Sequence, residues 1–73
     1  MIDVYNIDDT IRDLKRTSKP STITWKPTHW DMLREFIDLS GGPADTPMAP
    51  TQFRYMGIEH KKGSEDMKEE FKV

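Results

Sequence analysis

The sequence predicts a small α+β domain, one central helix laid across a short antiparallel sheet. Two observations carry that expectation. Residues 29–40 place Trp30, Leu33, Phe36 and Ile37 at helical spacing, and Gly41-Gly42 follows where a helix cap needs a residue that tolerates positive φ. On either side of this helix, residues 22–25 and 52–59 are rich in β-branched or aromatic side chains with period-two patterning, as paired strands require.

The composition sets the scale. Seventy-three residues, about a third apolar and a third charged, allow one domain whose core is near the lower limit for independent folding. There is no cysteine to staple it, and His29 and His60 lie too far apart to form a local metal-ligand pair. Neither a metal nor a cofactor is expected. Eleven Lys/Arg against thirteen Asp/Glu give a formal net charge of −2, which argues against a dedicated binder of duplex nucleic acid. No apolar run approaches membrane-spanning length, and the first residues lack the basic and apolar regions of a signal peptide. The expectation is a cytoplasmic monomer.

In chain order, residues 2–5 alternate weakly and form a candidate third strand. Asn6 is the expected N-cap of a short helix over 7–16, with Ile7, Ile11 and Leu14 on one face, Asp8 and Asp9 in its first turn and Lys15 and Arg16 in its last. Two or three turns do not hold alone, so this helix depends on packing its stripe. An alternative leaves residues 1–19 largely disordered and confines the fold to a β-α-β core from Ser21 to His60. Residues 17–21 read as a linker, in which Pro20 blocks continuation of the helix. Thr28 is the expected N-cap of the central helix, with Asp31 in a capping-box position. Residues 41–50, with three prolines and two glycines, read as a connection long enough to recross the helix. In the following strand the apolar phase switches between Phe53/Tyr55 and Met56/Ile58, which points to a bulge at Met56-Gly57. The domain is therefore expected to span 1–62, with 63–73 a flexible, highly charged tail.

Candidate chemistry is sparse. His29 beside Asp31 and Glu35 lacks a nucleophile tied to it and is expected to face solvent. Asp31, Glu35 and Asp38 form an acidic helix face, and Asp8-Asp9 suits the positive end of a helix. Gly41-Gly42 follows a helix where a phosphate-cradling loop would precede one. No enzyme is predicted. Two aromatic features point instead to binding. Trp25 and Trp30 flank the Lys26-Pro27 turn: either both anchor the minimal core, or one stays partly exposed and, beside Lys26 and Arg34, would anchor a protein interface. Phe53, Arg54 and Tyr55, followed by His60, Lys61 and Lys62, alternate basic and aromatic character as a single-strand nucleic-acid surface does. The candidate partner-binding residues are thus Trp25, Lys26, Arg34, Arg54, Tyr55, Lys61 and Lys62.

In length and general character, and with THWDMLREFIDLSGG as its centre, the chain resembles the small RNA-polymerase-binding transcription regulators that bacteriophages use in host takeover, of the Xanthomonas-phage kind. The resemblance carries no site residue across. It implies a non-enzymatic protein of the host cytoplasm that binds the large subunits of bacterial RNA polymerase. Such a protein inhibits initiation by interfering with the σ factor and promotes terminator read-through. Our own extension places the patch at Arg54, Tyr55, Lys61 and Lys62 close to nascent RNA. Two other classes stay open: a small single-stranded nucleic-acid binder using residues 53–62, and an inhibitor of another host factor.

Overall fold

The structure is a computed structural model that describes residues 2–41 and 51–73. Its elements in chain order are α1 (Ile7–Thr17), β1 (Thr22–Trp25), α2 (Pro27–Leu39), β2 (Gln52–Tyr55), β3 (Ile58–Lys62) and β4 (Phe71–Lys72). The fold is α+β, as the periodicities predict. The four strands form one sheet in the order β2-β3-β1-β4, with β1 parallel to β3 and the other two neighbouring pairs antiparallel.

That topology corrects four expectations. The sheet is mixed, not antiparallel, because the segment expected to be one strand over 52–59 is a hairpin. Met56 and Gly57 have φ of 55° and 73° and join Tyr55 to Ile58 as a two-residue turn. Positive φ at both central residues is the type I′ geometry that suits the right-handed twist of a hairpin. The turn also explains the switch in apolar phase. A two-residue loop shifts parity, so Phe53, Tyr55, Ile58 and His60 all end on one face. A bulge is not needed.

Secondly, residues 2–5 are not a strand. The Asp3 carboxylate accepts the backbone N–H groups of Tyr5 and Asn6 at 2.9 and 3.1 Å, and Asn6 Oδ1 accepts that of Asp3 at 2.8 Å. This closed turn uses the Asn6 side chain, which therefore makes no cap bond to α1. Thirdly, the expected flexible tail supplies β4, which pairs antiparallel with β1 through Thr24–Lys72 and Trp25–Phe71. Gly63 begins this return, its N–H donating to the Trp25 carbonyl at 2.7 Å. A Cβ there would sit 2.9 Å from that same oxygen and 2.5 Å from Met67 Sδ, so the close approach needs glycine. Fourthly, Thr28 lies inside α2. Pro27 opens that helix, where its missing N–H costs nothing, and no side chain caps it.

The reading with 1–19 disordered is also set aside. Ile7 and Ile11 of α1 are fully buried, and the Tyr55 hydroxyl donates to Asp8 at 2.7 Å. Tertiary contact thus supplies what eleven residues of helix cannot supply alone. At its far end α2 stops as predicted: Gly41 takes φ of 85° and its N–H donates to the Asp38 carbonyl at 3.2 Å. The connection expected over 41–50 lies, from residue 42 onward, outside the described residues.

Both helices cover one face of the sheet. Trp30, Leu33 and Ile37 of α2 and Ile7 and Ile11 of α1 meet Ile23, Trp25, Phe53, Tyr55 and Ile58. Phe36, expected in the core, lies at its rim, partly buried and edge-on to Tyr55 with ring centroids 6.3 Å apart. The Cα radius of gyration is 11.0 Å, and a compact chain of this length is expected at about 11 Å.

Candidate functional site

Among the described residues, both helices lie on one face of the sheet and neither covers its other face. Strand alternation decides which side chains stand there. Thr22 and Thr24 of β1, Gln52 and Arg54 of β2, Glu59 and Lys61 of β3 and Lys72 of β4 are the residues opposite the buried set. Register arranges them in two rows. Gln52, Lys61, Thr24 and Lys72 run across all four strands, and Arg54, Glu59 and Thr22 form a shorter parallel row. The strands thus present three cations against one carboxylate on this face, in a chain whose formal net charge is −2. Lys61 Nζ is 3.8 Å from Glu59, a loose pair at a half-exposed site that leaves the ammonium available to solvent. Arg54 Nη1 donates to the Gly57 carbonyl at 3.1 Å, which ties the face to the hairpin turn.

The candidate residues divide cleanly. Arg54 and Lys61 share the face opposite the helices, and Lys72 joins them. Nothing in the sequence assigned Lys72 there, because its place depends on β4 pairing with β1 over a distance of about fifty residues. Lys62 sits on the same strand face as His60 but at the solvent end of β3, away from the cationic rows. Arg34 belongs to the helix layer, and Lys26 lies at the start of α2, where it lines a shallow hollow with Pro27, Thr28 and Glu65.

Trp25 and Tyr55 leave the surface altogether. Trp25 is 0 % and Tyr55 6 % exposed, and the companion rings Trp30 and Phe53 are equally enclosed. Trp25 therefore cannot anchor a partner as expected, and Phe53 and Tyr55 cannot stack on bases. His60, expected at a basic strand exit, is a core residue with 0 % exposure. Trp25 Nε1–H donates to His60 Nδ1 at 2.9 Å, which leaves the ring proton on Nε2, donated to the Tyr55 carbonyl at 3.3 Å. A neutral imidazole thereby uses both nitrogens inside an apolar core. By contrast Trp30 Nε1 is buried and finds no acceptor among the described residues.

His29 is not the solvent-facing residue expected. Its side chain is largely covered, and Nε2 lies 3.0 Å from the Glu70 carboxylate, while the Lys26 N–H donates to the Glu70 carbonyl at 3.0 Å. This pair clamps the C-terminal segment against the start of α2, a structural role. In the same segment the Ser64 hydroxyl, donating to Asp66 at 2.6 Å, and a backbone N–H hold that exposed carboxyl below its ordinary range. Asp31, Glu35 and Asp38 stay on the exposed face of α2. Among the described residues, no group of three His, Cys, Asp or Glu gathers as a metal site would require, and no helix is long and apolar enough to cross a membrane.

Comparison with protein-family models, with curated protein sequences and with solved structures finds no match to this chain.

Proposed function

We propose that this chain is a non-enzymatic binding protein whose partner-facing surface is the sheet face opposite the helices. One observation supports the reading above the others: cations Arg54, Lys61 and Lys72 collect on the sheet face that no described helix covers, in a net-acidic chain. Segregated charge of this kind favours an acidic macromolecular surface and speeds encounter with it. Bacterial RNA polymerase is the concrete candidate, since the resemblance of the sequence implies it, and the mode of action would be obstruction at an interface.

Immobilised protein presented with purified polymerase at low salt tests this. Retention of polymerase subunits is expected, and the double variant Lys61→Glu/Lys72→Glu should weaken it by about tenfold or more. Arg54 is left alone because it supports the turn. Failure to retain any polymerase subunit at low salt removes the polymerase from the proposal.

Single-stranded RNA is the competing partner, and the cationic rows speak for it. With Phe53 and Tyr55 in the core, no stacking platform accompanies those cations. RNA affinity resting on three side chains should fall with salt at a slope of about 2 on logarithmic axes. A steeper slope, or preference for one base, would favour a dedicated nucleic-acid site elsewhere on the chain.

A further inference from the structure

At the end of the sheet away from the C-terminal segment, the last turn of α1, the Lys19-Pro20 connection and the β2–β3 turn enclose an open cleft. Its volume is about 400 Å³, and it is lined by Lys15, Lys19, Pro20, Met56, Gly57 and Ile58. None of Arg54, Lys61 and Lys72 lines it, although Arg54 reaches the Gly57 carbonyl at its rim.

Two independent features meet there. The first is backbone strain. Among the described residues, two that are not glycine have φ in the left-handed region, Lys19 at 46° and Met56 at 55°, and both line this cleft. Side chains with a Cβ resist that conformation, and it persists where the surroundings or a function require it. Lys19 follows α1 and donates its N–H to the Leu14 carbonyl at 2.9 Å, a position where Gly or Asn serves better. Met56 occupies the first central position of a type I′ turn, for which Asn, Asp or Gly is the ordinary choice. Methionine there weakens the turn and places a flexible, polarizable thioether beside the cleft, where it can adapt to an apolar group.

The second feature is charge. Lys15 and Lys19 are exposed, and among the described residues no carboxylate lines the cleft to answer them. Lys15 and Lys19 therefore line the cleft together with Met56 and Pro20, whose partly exposed side chains supply its apolar part. A simple anion would use only the lysines, and an apolar ligand only the apolar part. An acidic residue next to a large apolar one uses both.

We infer that this cleft docks an extended acidic–apolar peptide segment of a partner protein. A carboxylate of the segment binds Lys15 and Lys19, and the neighbouring apolar side chain lies against Met56.

The probe is a short fluorescent peptide alternating glutamate and leucine, compared with glutamate–serine and lysine–leucine counterparts by anisotropy. The glutamate–leucine peptide should bind about tenfold tighter than either control, and Lys15→Glu/Lys19→Glu should remove most of that affinity. Met56→Asn is the decisive variant. It should raise the thermal midpoint by a few degrees while weakening the peptide several-fold. Lys61→Glu/Lys72→Glu should leave the peptide affinity unchanged, which separates this site from the cationic sheet face. Equal binding of the glutamate–serine peptide would overturn the inference. So would full affinity in Met56→Asn, a lowered midpoint in that variant, or loss of binding on reversing Lys61 and Lys72.

Discussion

The two tryptophans look alike in the sequence and differ in the fold by one hydrogen bond. Trp25 Nε1 has an acceptor in His60, whereas Trp30 Nε1 is enclosed without one among the described residues. Phenylalanine at either position removes part of the ring and the N–H. At Trp25 the change also removes the buried bond to His60 Nδ1, and losing it costs roughly 1–3 kcal/mol beyond the lost packing. At Trp30 it deletes an unpaired donor and so recovers part of the packing loss. Trp25→Phe should therefore lower the urea midpoint distinctly more than Trp30→Phe. Equal midpoints would mean that the Trp25–His60 bond contributes nothing. In a double-mutant cycle, Trp25→Phe and His60→Phe should couple strongly, because either single change already removes the bond the two share.

At the scale of elements, the fold is held together by what the shortest ones touch. α1 is anchored by Ile7, Ile11 and the Tyr55–Asp8 bond. Tyr55→Phe should destabilise by about 1–2 kcal/mol, read by denaturant titration. β4 has two residues, yet Phe71 packs on Trp25 with ring centroids 5.4 Å apart. Its return path runs through Gly63. Gly63→Ala pushes a methyl against the Trp25 carbonyl, and about 1–3 kcal/mol of destabilisation is expected. Amide exchange should rise first in residues 63–72 of that variant, since the carbonyl is backbone and cannot swing aside. Exchange unchanged from wild type would show that the segment closes without glycine's help.

For the whole molecule, charge is distributed more informatively than its total. A formal −2 describes a chain with no overall bias, while the sheet gathers three of its eleven Lys/Arg on one face. Binding through that face should weaken steadily as salt is raised past the range where the Debye length falls to about 8 Å. The cleft at Lys15 and Met56 should lose less, because part of its affinity is apolar burial. Comparing the two salt profiles in one titration series distinguishes the surfaces without any substitution.

Local signals sufficed for α2 and for the existence of α1 and β1. Their spacings are short-range, and Gly41 stops α2 by backbone freedom alone. The cationic face was half legible, since Arg54 and Lys61 alternate with buried neighbours along their strands. What the residues did not disclose was pairing. Met56-Gly57 lacks the Asn-Gly signature of a type I′ turn, so a hairpin read as a bulged strand. The acidic stretch before Phe71 hid an edge strand, because its two paired residues gain stability only against Trp25. His60 read as surface until the Trp25 N–H, thirty-five positions away, supplied its partner. Sequence alone determined the class of fold and its central helix through periodicity. The tertiary structure decided the mixed sheet, the burial of both tryptophans and the gathering of Arg54, Lys61 and Lys72, because each depends on contacts between residues that no local pattern links.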